Sequence, residues 1–436
     1  MNNTKDTLLL GNTKEPLANT LFLGTAGGGS RFMEVNILHQ NDVNMVILDV
    51  DNQLYHKTAQ TLKEKGYAIL RYDFYDNPNA YNPFSYMKST ESVADFAEIV
   101  ASAAIPPDTD AASSFWRANS IHVLFDYLMD YGKEKDLSGY SIKQLYEDIT
   151  SGNITSGKVK TDVADNILIS LAASLLFYRQ MESDNSLDLT TLFTEERQVL
   201  FIEMDKISTI PNLINKLMLS QLMREVTGYD RVLDIPIAFF LSEITDLLSP
   251  SLSCDEDIYR AFKRARMHDT AFILKAKSLH QLPDLVPCLS DYVVFDGVCN
   301  DAKTASFLED NFYHALALHH IEYKEDIPRI SKMLKRHRIL QKIKHGKHGF
   351  RQSKNEILRL PMEYLLVFGG RHLSVVRRDP ACREDSLSPT QNPSGRSSDF
   401  DGSAPCIISK KLPYNNAETE EAETEEEDEF DGSDYE

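Results

Sequence analysis

The sequence predicts an α/β fold: a mainly parallel sheet with flanking helices, interrupted by an all-helical segment. Three observations carry that reading. Short apolar runs alternate with segments of helical spacing, which is the pattern of strand–helix–strand crossovers. Between about residues 85 and 187 strand runs are scarce and helical periodicity takes over. A glycine-rich turn, LFLGTAGGGSRF at residues 21–32, joins the first apolar run to the first helix.

Taken in order, Leu21–Leu23 is a short strand ahead of the glycines, and MVILDV at 45–50 is a buried-type strand carrying Asp49 near its end. Leu54–Lys65 has helical spacing, and Ala68–Tyr72 reads as the next strand. Strands at such intervals imply right-handed crossovers. Val93–Ala104, Ser114–Tyr131 and Ile142–Ile149 then read as helices. Strands return at Gln198–Ile202, Ile235–Leu241, Thr270–Leu274, Tyr292–Phe295 and Tyr364–Phe368. Helices at Ile210–Val226, Ile258–Met267 and Ala302–Leu316 lie between them. The sheet unit is therefore expected in two parts, 1–84 and 188–380, around an all-α unit at 85–187, with a disordered acidic tail at 381–436. No internal repeat is visible.

The chain has 436 residues and 42% hydrophobic content, enough for a sizeable core. Its formal net charge is −20, but residues 417–436 hold twelve acids and no base, and about −8 remains without them. None of the five cysteines forms a CxxC pair, so neither a disulfide framework nor a zinc site is indicated, and a reducing compartment is expected. No signal peptide opens the chain. The longest mostly apolar stretch, Ile167–Tyr178, is far short of the roughly 20 residues that span a bilayer. A cytoplasmic location follows, with any membrane attachment made through a partner.

The glycine turn nearly matches the phosphate-binding pattern G-x-x-x-x-G-K-[ST]. Gly24 and Gly29 fall on its glycines, with Gly27 between them; Ser30 stands where the lysine belongs and Arg31 where the hydroxyl belongs. Such a loop works because successive N–H groups and a helix N-terminus face the anion. Ser30 supplies no charge. Arg31 is cationic, but one residue on along a helix its side chain turns about 100° away, and it has no lone pair for magnesium.

Elsewhere, residues 332–354 carry nine Lys or Arg and no acid. Lys332, Lys335, Arg336, Arg338, Lys342, Lys344 and Lys347 in that run are the candidate contacts to nucleic-acid phosphates, giving salt-dependent, sequence-independent binding. A solvated loop, or one paired with the acidic tail, is the competing reading. His319-His320 with Glu322 has poor geometry for a metal, since adjacent helical positions face apart, and no metal site is expected.

Several landmarks together resemble the motor domain of type IV secretion coupling proteins, the TraG/TraD conjugation ATPases, over roughly residues 15–380. They are the glycine loop; VILDVDNQLYHKTAQTLKEKGYAILRYDF, similar to a family segment that begins D-P-K-G-E-L; Tyr81-Asn82-Pro83-Phe84; Phe115-Trp116, with the chain's single tryptophan; the strand Ile235–Leu241; and LLVFGGRHLSVVRRDP near the end. The resemblance implies a RecA-like P-loop NTPase sheet domain with an inserted all-α domain. It implies an ATP and Mg²⁺ site only if that site still functions, and partners in the conjugation or secretion machinery, an active coupling protein among them, in homo- or hetero-oligomers. The acidic tail resembles partner-docking tails in the family. Family members usually begin with membrane helices, so this chain is expected either to be a truncated form or to be recruited.

The departures from the family fall on its chemistry. An active motor ends the Walker B strand with Asp-Glu, the first for magnesium and the second to polarise water; here Ser242 replaces the aspartate, and Glu243 survives as the candidate catalytic residue. Lys275 stands where the family places a γ-phosphate-sensing glutamine, and is geometrically able to lend a charge from a neighbouring strand. The expectation is a vestigial site at Gly24, Gly27, Gly29, Ser30, Arg31, Ser242 and Lys275, on an adaptor or substrate receptor without efficient ATP hydrolysis. The alternatives are an active DNA-translocating motor with a rearranged site, and a decaying mobile-element gene.

Overall fold

In the computed structural model the described residues are 18–24, 28–105, 111–154, 161–182, 184, 186–205, 212–227, 235–242, 261, 263–265, 269–282, 286–296, 298–299, 301–317, 321–322, 358–359, 364–369 and 372–377. The basic run and the acidic tail lie outside them, as do Gly27 and Glu243.

The chain opens with strand β1 (Thr20–Gly24), helix α1 (Gly28–His39), β2 (Asn44–Val50), α2 (Gln53–Glu64) and β3 (Ala68–Tyr72). Every described element from there to residue 194 is helical: α3 (Thr90–Ala104), α4 (Ala111–Glu134), α5 (Ile142–Ser151), α6 (Thr161–Leu175) and α7 (Thr191–Thr194), with 3₁₀ turns between. The sheet resumes with β4 (Gln198–Met204), α8 (Asn212–Thr227), β5 (Ile237–Ser242), β6 (Thr270–Ala276) and β7 (Tyr292–Asp296). A 3₁₀ turn at Leu279–Gln281, a short helix at Val286–Leu289, two-residue strands β8 (Val298–Cys299), β9 (Ile321–Glu322) and β10 (Leu358–Arg359), a helix at Ala302–Ala317, and the pair β11 (Tyr364–Gly369) and β12 (His372–Arg377) complete the described elements.

Among the described residues ten strands form one sheet in the order β3-β4-β2-β5-β6-β1-β7-β11-β12-β9. The first seven are parallel. β11 is antiparallel to both β7 and β12. Strands such as NMVILDV and IAFFLS are buried almost along their whole length, and apolar through their middles, because helices cover both faces of the sheet. On one face α1 and α2 place Phe32, Met33, Ile37, Leu54 and Leu62 over Phe22, Ile47, Phe201, Phe240 and Ile273. On the other, Leu48, Ile202, Phe239 and Leu274 share one continuous core with the helical segment, through Phe96, Leu128, Leu145 and Leu171, and with α8 through Leu217.

Local signals fix the helix ends. Ser89 and Ser92 form a reciprocal capping box at the start of α3. Ser141 caps α5, and Gly152 closes it at φ 76°, a left-handed angle that favours glycine. Asn82 holds the junction between sheet and helices: its amide donates to Tyr140 O at 2.8 Å while its Oδ1 accepts from Phe84 N at 3.2 Å. The segment Tyr81-Asn82-Pro83-Phe84 is thus a buried structural joint. Of the Phe115-Trp116 pair, Phe115 is exposed and Trp116 packs partly against the core. No helix among the described residues is long and apolar enough to cross a membrane.

Candidate nucleotide-type site

The carboxyl ends of the seven parallel strands make one edge of the sheet. β1 and β6 are adjacent there. The segment after β1 is α1, which packs on one face; the segment after β6 sends Leu279, Leu282 and Val286 into the core of the other. A crevice outside two such strand ends is where open α/β sheets take ligands.

Gly24 ends β1 against β7. A side chain there would meet Asp296 O at 2.7 Å and the Phe22 ring at 3.0 Å, so only glycine fits. Gly29 is buried in the first turn of α1. A Cβ on it would lie 2.7 and 2.9 Å from Cε and Cδ of Lys275, so the lysine stem fills the space that glycine leaves. Lys275 Nζ stands 3.5 Å from Ser30 Oγ, a long contact at the limit of hydrogen bonding. The ammonium of Lys275, delivered from β6, therefore lies at the residue that replaces the motif lysine.

The strand period explains this direction. Ala271 and Ile273 face the α1 side, and Lys275 follows them four and two residues on. The sequence-based strand ended at Leu274; the structure carries it to Ala276, with Lys275 in register with Phe22 of β1 and Ser242 of β5. Arg31 leaves the crevice. It is exposed and pairs with Glu34 at 2.5 Å, and Lys57 reaches the same carboxylate at 3.6 Å. Ser242 is buried, and its hydroxyl donates to Leu48 O at 2.5 Å, tying β5 to β2.

Two further groups stand at this edge, Asp49, read from the sequence only as an acid near a strand end, and Arg71, which the sequence reading did not single out. Asp49 is almost fully buried and accepts from the N–H groups of Leu54 (2.9 Å) and Tyr55 (2.7 Å). It satisfies the first turn of α2, whose own N-cap residue, Asn52, is left-handed and makes no side-chain cap. Burial pushes the Asp49 carboxyl up, against the pull of those two N–H groups. Arg71, at the end of β3, donates to Asp73 at 2.7 Å and Glu203 at 2.9 Å, with its guanidinium 5.2 Å from the centre of the Tyr55 ring. Burial and its hydrogen bond to Asp73 raise the Glu203 carboxyl. Burial raises Asp73 too, but the bond to Glu203, two backbone N–H groups and the Arg71 charge bring it down overall.

Residues 20–187 match the family model described as type IV secretory system conjugative DNA transfer. Over that span the chain is type IV coupling-protein-like. Among solved structures, the bacterial conjugative coupling protein TrwBdeltaN70 in complex with sulphate aligns at TM-score 0.54 and 14% identity, over 82% of this chain and 85% of its own. Plasmid coupling protein TrwB in complex with ADP and Mg²⁺ aligns at 0.55 and 14%, over 82% and 84%. TrwB in complex with a non-hydrolysable GTP analogue aligns at 0.55 and 13%, over 86% and 90%. At such identity the likeness is one of fold, and the sheet is RecA-like. No curated protein sequence matches the chain.

That fold implies a nucleoside triphosphate with Mg²⁺. The anion fits the residues present: Gly24, which admits no side chain, Gly29 beneath the Lys275 stem, a helix N-terminus with no acid in its first turn, and the Lys275 ammonium. The metal does not fit the donor set described. Ser242 puts a neutral hydroxyl, held against Leu48 O, in place of a carboxylate, Arg31 has no lone pair, and no carboxylate, His or Cys cluster of metal-binding geometry occurs among the described residues.

Proposed function

We propose that the chain serves conjugative DNA transfer as a coupling-protein-like adaptor or substrate receptor that does not hydrolyse ATP efficiently. The observation that carries this reading is Ser242. Phosphoryl transfer depends on cations placed around the reacting phosphates, and the residue at the metal-holding position is a buried hydroxyl committed to a neighbouring strand. Loss of the lysine at residue 30 supports the same conclusion. The partners are components of the conjugation or secretion machinery, with DNA held through the basic run at 332–354 and a partner docked on the acidic tail. A partner brings the chain to the membrane where transfer occurs.

A turnover assay on the full chain with ATP and Mg²⁺ tests this. The expected result is phosphate release no faster than the buffer blank, with and without single-stranded DNA. Sustained Mg²⁺-dependent release would replace the adaptor with the second reading, a motor with a rearranged site. The approach of Lys275 to Ser30 is the observation in that reading's favour.

A further inference from the structure

We infer that the helical segment carries a ligand site of its own, a tyrosine-walled hollow between α4 and α5 that takes a guanidinium group, free or borne on an arginine side chain. None of its residues belongs to the crevice at β1 and β6. The inference goes beyond the adaptor reading and does not rest on it.

The hollow has a volume of about 440 Å³, inside the range of roughly 300–1,000 Å³ typical of small-molecule sites. Tyr127, Tyr131 and Lys135 line it from α4 and the turn that continues it. Their spacing of four residues places them on one face. Glu147 and Asp148 line it from α5, and Tyr140 from the link between the two helices. The Tyr131 ring centre stands 4.4 Å from that of Tyr140 and 6.3 Å from that of Tyr127, so the three rings are contiguous.

The charges of the lining define the ligand. Asp148 accepts from the Tyr127 and Tyr140 hydroxyls at 2.6 Å each and from the Asn153 amide at 2.9 Å. An ionised carboxylate has about four lone-pair positions, so it has room for one more donor. Burial raises the Asp148 carboxyl, but those donors and the Lys135 charge bring it below its ordinary value, which keeps it ionised. Glu147 adds a second carboxylate on the exposed rim. Against these two acids the lining has one cation, Lys135, whose Nζ lies 5.2 Å from the centre of the Tyr131 ring. One negative charge is left over, and the aromatic wall already carries a cation. The neighbouring lysines are committed elsewhere, Lys133 to Asp130 at 2.8 Å and Lys143 to Glu182 at 2.6 Å. Residues 126–148 hold six acids against three lysines, so the surroundings repel phosphate and attract a cation. No cluster of metal-binding geometry occurs here among the described residues. A guanidinium suits the lining: it is planar, stacks on aromatic faces and offers five donors, enough to lie on Tyr131 while donating to Glu147 and Asp148. Lys135, on a flexible exposed stem, is the group it displaces.

The test is binding of methylguanidinium, and of a short glycine peptide with one central arginine, to the full chain, followed by calorimetry or NMR. The same peptide with citrulline, the neutral isostere, is the control. The arginine peptide is expected to bind with a dissociation constant of about 1 mM or tighter, and the citrulline peptide to fail. Tighter binding of the arginine peptide than of methylguanidinium assigns the ligand to a protein side chain; equal binding assigns it to a free guanidinium compound. Glu147→Gln, on the exposed rim, is expected to weaken binding roughly two- to fivefold, the worth of an exposed ion pair, at unchanged thermal midpoint. Lys135→Met vacates the Tyr131 face and removes a repelling charge, so it is expected to strengthen binding by a similar factor. The sign at Lys135 decides the ligand class, because a nucleic acid or any other anion would bind more weakly to Lys135→Met. The proposal is overturned if neither guanidinium probe binds at about 10 mM, if the citrulline peptide competes as well as the arginine one, or if a folded Lys135→Met binds guanidinium more weakly than the parent.

Discussion

The buried phenol of Tyr81 donates to Gln221 Oε1 at 2.5 Å, and the Gln221 amide donates in turn to Pro83 O at 2.9 Å. This couples the chain leaving β3 to α8, the helix that follows β4. Tyr81→Phe keeps the ring packing against Tyr72 and Tyr86 but leaves Gln221 Oε1 without its donor. A loss of about 1–2 kcal/mol is expected from one unsatisfied partly buried acceptor, read from the urea midpoint at unchanged slope. A shallower slope instead would mean that helices and sheet had begun to unfold separately.

Asp49 is expected to be the most sensitive polar position near the crevice. Asp49→Ala orphans two N–H groups at the start of α2 and should cost about 1–2 kcal/mol, the range of a lost helix cap. Its pH signature follows from the raised carboxyl. The unfolded chain loses this proton first, so the stability associated with the protonated carboxyl is present below the unfolded value and is lost as pH rises through the folded one. Asp49→Asn, which does not titrate, should flatten the stability curve across that acidic window. Equilibrium unfolding between about pH 3 and 7 checks it; an unchanged slope would contradict the assignment.

The apolar runs at 21–23, 45–50 and 198–202 needed only their own residues to be read as strands, because a strand buried on both faces is apolar throughout. The strand Tyr364–Phe368 was similarly visible, whereas its pairing with β12 was implied only by the family resemblance of LLVFGGRHLSVVRRDP. Lys275 was placed past its strand, since a polar residue after an apolar run reads as an end; only the register with Phe22 and Ser242 shows that the strand continues and aims the lysine at α1. Asp49 was hidden because its reach to Leu54 and Tyr55 depends on left-handed Asp51 and Asn52, at φ 56° and 54°. The Arg71–Glu203 contact joins residues 132 apart in the chain through the β3–β4 pairing, and no local pattern specifies which strands become neighbours.

In the helical segment, Asp148 accepts from the hydroxyls of Tyr127 and Tyr140, each at 2.6 Å, and from the Asn153 amide at 2.9 Å. Burial raises its carboxyl, but these donors outweigh burial and the net shift is downward; the Tyr127 phenol, partly buried beside the charge, is pushed up to about 12. Stability from this cluster is therefore present above the unfolded carboxylate value and lost as pH falls through the lowered folded one. Asp148→Asn should destabilise at pH 7 and less in acid below the folded carboxylate value, where the parent has lost the charge too. An equal loss under both conditions would show that the phenols respond to shape alone.

Ser242 offers the sharpest separation between a cradle that only binds and one that hydrolyses. Ser242→Asp puts a carboxylate beside Lys275 in register, on the strand face shared with Ala238 and Phe240. It also breaks the Ser242–Leu48 hydrogen bond, so stability should fall by about 1 kcal/mol. The new carboxylate competes with phosphate for Lys275, and ADP affinity in EDTA should drop severalfold. Adding Mg²⁺ should then recover binding in Ser242→Asp and leave the parent unchanged, because only the variant has an acid at the metal-holding position. Calorimetric titrations of both proteins, with and without Mg²⁺, give the four affinities. If Mg²⁺ strengthens ADP binding to the parent as much as to Ser242→Asp, a metal site already exists in the chain, and Ser242 is not the residue whose change removed one.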